Sequence, residues 1–137
     1  NNPLIVDHPG DLDAAVHHTV MSAFVSAGQR CTCARRLLVP RGAEGDAFID
    51  RLADVASRLT VDAYDAEEQP FMGSLVSIAA AQELLDAQNS LIEAGASSIL
   101  SMQQIKPNTA LLSPGIDTSI YGLRLMCQST GSSVRSP

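Results

Sequence analysis

Apolar positions along the chain follow two different periods. The run Leu4-Ile5-Val6 comes after Pro3 and stops at Asp7-His8-Pro9-Gly10-Asp11, which reads as a strand followed by a turn. Asp11 stands where a helix N-cap belongs. Leu12, Val16, Val20 and Phe24 then recur every fourth residue, laying one apolar stripe on a helix that Gly28 ends. Leu37-Leu38-Val39 reads as a buried strand stopped by Pro40. Phe48, Leu52, Val55 and Leu59 mark a second helix, with Asp54 and Arg58 one turn apart on its solvent side. A polar connection closed by Pro70 and Gly73 leads to a third helix expected over 77–94, with Ala81, Leu84, Leu85, Leu91 and Ile92 facing inward and Gly95 ending it. Residues 98–102 and 110–112 read as short strands. The order of elements predicts an α/β fold: a mostly parallel sheet flanked by helices, the first three strands parallel.

Composition narrows the picture. The chain has 137 residues, enough for one domain with a real core, and its 45% hydrophobic and 18% charged residues are globular proportions. A net charge of −6 argues against nucleic acid and anionic membranes as partners, since both favour a basic surface. No run approaches the roughly 18 apolar residues of a membrane span, and the first residues lack a signal-peptide layout. Three cysteines without framework spacing point to reduced thiols and a cytoplasmic setting. The chain opens on Asn-Asn-Pro-Leu-Ile-Val without an initiator methionine. After Asp117 no acid occurs, no period holds, and the end is rich in Ser and Gly. This divides the chain into a first part, 1–116, and a divergent, poorly ordered tail, 117–137, which contains Cys127. A truncated or frame-disrupted gene would explain both ends.

The chemistry concentrates in Ser-Ala-Gly-Gln-Arg-Cys-Thr-Cys-Ala-Arg-Arg, between the first helix and the second strand. Cys31, in a loop near Arg30, Arg35 and Arg36, has the setting in which a thiolate nucleophile is exposed and favoured. It equally fits a small apolar residue buried at a helix-to-strand junction. Cys33, two residues on, reads as structural: strand alternation points it to the same face as Cys31, where it could pack beneath it. A metal site would need two more ligands from His8, His17, His18 and Cys127, none at zinc-finger spacing. His17 and His18 sit side by side in a helix and cannot share a face. The acidic run 62–68 reads as a solvated loop. No G-x-G-x-x-G or P-loop follows a strand, so no coenzyme site is visible.

Gly28-Gln29-Arg30-Cys31, between a Phe-containing helix and an Arg-led strand, resembles the active-site signature of the NAD(P)-dependent aldehyde dehydrogenase superfamily. Asn-Asn-Pro-Leu-Ile-Val with Asp-Leu-Asp-Ala-Ala-Val, then Pro-Phe-Met-Gly-Ser-Leu, Leu-Ile-Glu-Ala-Gly-Ala and Leu-Leu-Ser-Pro-Gly-Ile, follow in family order over 1–116. The resemblance implies a partial catalytic domain with Cys31 as nucleophile, adding to an aldehyde carbon while its own backbone N–H and an asparagine side chain hold the oxyanion. It implies hydride transfer to NAD, a thioester, and hydrolysis by glutamate-activated water. In wording, the cysteine segment resembles a bacterial branch of arginine catabolism acting on a carboxylated semialdehyde. The family's glutamate motif, coenzyme domain, oxyanion asparagine and oligomerisation strands have no counterpart here, although the family is homo-oligomeric. The resemblance therefore implies a small-molecule aldehyde as substrate and an isolated chain without turnover. Two other readings stand beside it: a non-catalytic remnant that associates through exposed sheet edges, and a thiol-only activity at Cys31 such as ester hydrolysis.

Overall fold

The structure, a computed structural model, describes residues 2–119 and 122–126. Strand β1 (Asn2–Ile5) leads to helix α1 (Leu12–Phe24), strand β2 (Ala34–Leu38) and helix α2 (Ala43–Ser57). Helix α3 (Ile78–Glu93), strand β3 (Ser98–Leu100), strand β4 (Gly115–Ser119) and strand β5 (Gly122–Met126) follow.

Helix α1 starts as the sequence predicts, with the Asp11 carboxylate accepting from the Ala14 N–H at 3.0 Å. Val16, Val20 and Phe24 are buried in one core with Leu37 of β2, Phe48, Leu52 and Ala56 of α2, and Ile116 of β4. On the solvent side of α2, Arg58 meets Asp54 at 2.6 Å, as expected. Arg51 bridges Asp54 and Asp13, both at 2.8 Å, and so ties α2 to α1. These are exposed pairs, worth little beside the apolar seam beneath them.

Helix α3 is capped by Ser77, whose hydroxyl accepts from the Ala80 N–H at 3.1 Å. Its inward stripe differs from the pattern read above: Ile92 faces solvent, because the helix outruns the core before its last turn, and Gln88 is buried instead. Gln88 donates to the Met102 carbonyl at 3.2 Å and accepts from the Met102 N–H at 2.8 Å, satisfying both buried groups of that residue. This amide staples α3 to the chain beyond β3. Gln88→Leu keeps the volume but orphans both backbone groups, and is expected to cost roughly 2–4 kcal/mol. Urea unfolding checks this; an unchanged midpoint would remove the staple from the account.

The five strands form one sheet in the order β1-β2-β5-β4-β3. The α/β class stands, with β1 and β2 parallel across α1. The expected parallel relation does not extend to β3, which runs antiparallel to β4, and β5 is antiparallel to both of its neighbours. The reason lies in the segment read as tail. Gly122-Leu-Arg-Leu-Met126 alternates as a strand does, and its backbone pairs with the open side of β2, whose N–H and C=O groups need partners. The division at residue 116 thus falls inside β4. Residues 127–137, including Cys127, lie outside the described residues. The expected strand at 110–112 is an isolated bridge between Gln104 and Leu112. Among the described residues no helix is long and apolar enough to cross a membrane.

Asp117 is fully buried in β4, and neither carboxylate oxygen has a hydrogen-bond partner of good geometry among the described residues. Desolvation raises its pKa, and Ser98, opposite it in the ladder, opposes that only in part. The folded chain therefore holds this proton more tightly than the unfolded one. The resulting stability is complete below the ordinary carboxyl range and is lost as pH rises through the raised native value. Asp117→Asn is expected to gain on the parent as pH rises from about 4 to 7. Thermal midpoints of both chains across that range test it, and a constant difference would contradict it.

Candidate active site

The loop between α1 and β2 begins with a conformational constraint. Helix α1 stops at Phe24, four residues before the stop predicted at Gly28, and Val25–Gly28 forms a tight turn. Within it Ser26, Ala27 and Gly28 have φ of 58°, 52° and 69°. Left-handed backbone costs a non-glycine residue about 1–2 kcal/mol, so two such residues need compensation. Ala27 supplies part of it by packing into a second core with Leu75, Ala81, Met102 and Leu112. Gln29 supplies more: its backbone N–H donates to the Ser26 carbonyl at 3.0 Å, and its side-chain amide donates to the Ser74 carbonyl at 3.3 Å. The chain thus leaves α1 at a fixed angle.

A second turn follows, closed by the Cys33 N–H donating to the Arg30 carbonyl at 3.2 Å. At its crest Cys31 is exposed, whereas Cys33 is completely buried. The two thiols therefore do not share a face as strand alternation suggested, because residues 31–33 turn and the strand begins only at Ala34. Of the neighbouring arginines, Arg30 is tied back to α1, donating to the Met21 carbonyl at 3.0 Å, and Arg36 is exposed on β2. The carbonyls of Cys31 and Cys33 both accept from the Asn2 side-chain amide, at 2.5 and 3.2 Å. Nothing in the sequence pattern singled out Asn2, and Gln29 stood out only within the Gly28-Gln29-Arg30-Cys31 signature.

The other candidates separate from this loop. His17 and His18 are exposed on α1, their ring centroids 5.7 Å apart in an edge-to-face arrangement. His8 bonds Glu44 at 2.7 Å, and that hydrogen bond, with the charges of Glu44 and Asp7, holds its pKa above the ordinary histidine value. Asp62 of the acidic loop pairs with Lys106 at 2.6 Å, which lowers its pKa. Among the described residues no three His, Cys, Asp or Glu side chains group to hold a metal. The groove between α1 and α2, lined by His17, Val20, Arg51 and Phe71 among others, does not include Cys31.

The loop thus presents one exposed cysteine between the helix and second strand of a parallel βαβ unit. A family model described as aldehyde dehydrogenase family matches residues 1–120, and the chain belongs to that family. It is 58% identical over 116 residues to N-succinylglutamate 5-semialdehyde dehydrogenase of Burkholderia mallei (strain SAVP1), covering 85% of this chain and 24% of that protein. The enzyme of the same name from Chromobacterium violaceum is 57% identical over 124 residues, covering 90% of this chain and 26% of that one. The crystal structure of succinate-semialdehyde dehydrogenase from Burkholderia pseudomallei superposes with a TM-score of 0.75 at 29% identity, over 86% of this chain and 24% of that one. The chain thus spans about a quarter of the length of these relatives. The match to the family runs past the boundary drawn at residue 116 and into β4 and its end.

Proposed function

We propose that this chain carries the nucleophile of an NAD-dependent oxidation of N-succinylglutamate 5-semialdehyde to N-succinylglutamate, a step of arginine catabolism in the cytoplasm, and that Cys31 is that nucleophile. The observation that carries the reading is the contrast between two neighbouring thiols, one exposed at the crest of a fixed turn and one sealed beneath it. Two similar proteins named N-succinylglutamate 5-semialdehyde dehydrogenase support the choice of substrate.

In this reading the Cys31 sulfur attacks the aldehyde carbon. A C–S bond forms, the carbonyl π pair moves onto oxygen, and the Cys31 backbone N–H is one donor to that oxyanion. The thiohemiacetal is a good hydride donor, whereas the free aldehyde is a poor one. NAD, when bound, would supply the hydride acceptor. No described residues of this chain form a glycine-rich dinucleotide cradle, so the redox and hydrolytic steps draw on groups outside it. The 137-residue chain alone is therefore without turnover.

The test is a graft. Residues 1–116 of this chain replace the matching span of the Burkholderia mallei enzyme. The chimera is expected to form NADH from N-succinylglutamate 5-semialdehyde, while the isolated chain forms none. A folded chimera that does not oxidise this semialdehyde would contradict the proposal.

A further inference from the structure

We infer that Asn2 is a positioning residue for Cys31: its side-chain amide holds the cysteine turn against β1 and so keeps one thiol out and the other in. The inference rests on Cys31 being the nucleophile, and it concerns what keeps that sulfur in place.

The register shows where such a clamp is needed. Alternate residues along β1 face β2, as the Val6 N–H just past its end does in donating to the Leu38 carbonyl at 2.9 Å. Asn2 pairs with Ala34 and Pro3 with Arg36, so β2 carries one residue extra at this point. The ladder is therefore interrupted where β2 emerges from the cysteine turn. Asn2 fills the gap with its side chain, which has two N–H donors and finds two carbonyl acceptors, those of Cys31 and Cys33. Because both partners are carbonyls, the amide nitrogen and not the oxygen must face them.

The clamp and the turn form one unit. The Cys33 N–H closes the turn onto Arg30, and Asn2 grips the two carbonyls from the β1 side. Cys31 thereby stays exposed while Cys33 stays in the core, although one residue separates them. Upstream, the left-handed turn at 26–28 fixes only where the loop begins. Asn2 is a contact that helps to fix where it ends.

The readout is the ratio of iodoacetamide alkylation rates at Cys31 and Cys33 in the 137-residue chain, measured by peptide mass spectrometry. Losing two hydrogen bonds of ordinary worth raises local opening of the turn by about tenfold, so the ratio is expected to fall about tenfold in Asn2→Ala. Asn2→Asp has the same shape but no donor at neutral pH, and is expected to behave like Asn2→Ala. Asn2→Ser keeps one donor and retains most of the ratio; it carries the test if Asn2→Ala melts early. A purely space-filling role would leave Asn2→Asp like the parent, and that result would overturn the inference. An unchanged ratio in all three variants overturns it as well. Equal rates in the parent itself would overturn the reading of Cys31 and the clamp together, which keeps the two failures apart.

Discussion

Cys31→Ala in the grafted enzyme is expected to lower semialdehyde-dependent NADH formation by roughly 10³-fold or more, whereas Cys33→Ala leaves catalysis largely intact. The difference follows from position. Without the Cys31 sulfur the aldehyde keeps its sp² carbon, no tetrahedral adduct forms, and no other exposed thiol in the turn can substitute, since Cys33 is sealed in the core. Cys33→Ala removes only a small buried group, so it lowers stability by the modest amount that a lost sulfur costs in a packed interior. A Cys31→Ala enzyme that keeps more than about a tenth of the parent activity would remove Cys31 from the chemistry. Ester hydrolysis by the isolated chain, if it occurs and survives Cys31→Ala, would likewise come from elsewhere.

Gly45→Ala carries the largest expected effect on folding. Gly45 lies in the first turn of α2, and a Cβ there would stand 1.9 Å from the carbonyl oxygen of Pro40. That obstacle is backbone, with no flexible side chain to swing aside, so either the β2–α2 connection or the helix start must move. Phe48 and Leu52, which fill the main core, hang on the same helix and would be carried with it. The expected loss is about 3 kcal/mol or more, the upper end for overpacking, read as a lowered urea midpoint. Gly42→Ala provides the contrast. Its φ of 100° strains an alanine, but the space around it is open, and a loss of about 1 kcal/mol is expected. Equal losses at the two sites would show that close approach at Gly45 is not the constraint.

The helices were legible because their signals are local. A capping Asp11 or Ser77 and an apolar residue every third or fourth position act within one element, and α1, α2 and α3 form close to where those signals put them. Strand pairing is not local. Whether β3 runs with β1 or against its neighbour is decided by which segment fills the open side of β2, and that segment, β5, comes last in the chain. Buried polar groups were hidden for the same reason: Gln88 looks like a surface residue until the Met102 backbone that it satisfies arrives from fourteen residues on. At the site, the loop and the resemblance marked Cys31, its arginines and Gln29, while the Asn2 contact escaped notice. Cys33 alternates with Cys31 on paper, but a turn intervenes. Asn2 lies twenty-nine residues from the carbonyl it holds, a separation that no sequence window spans.

The most direct measurement is the alkylation of Cys31 and Cys33 in the intact chain at neutral pH, followed residue by residue. The geometry of the turn requires Cys31 to react at least about a hundredfold faster, because modifying Cys33 needs the core to open first. Comparable rates, or earlier modification of Cys33, would mean that the sequence does not build the turn that presents a single thiol, and the assignment of Cys31 as nucleophile would lose its structural basis.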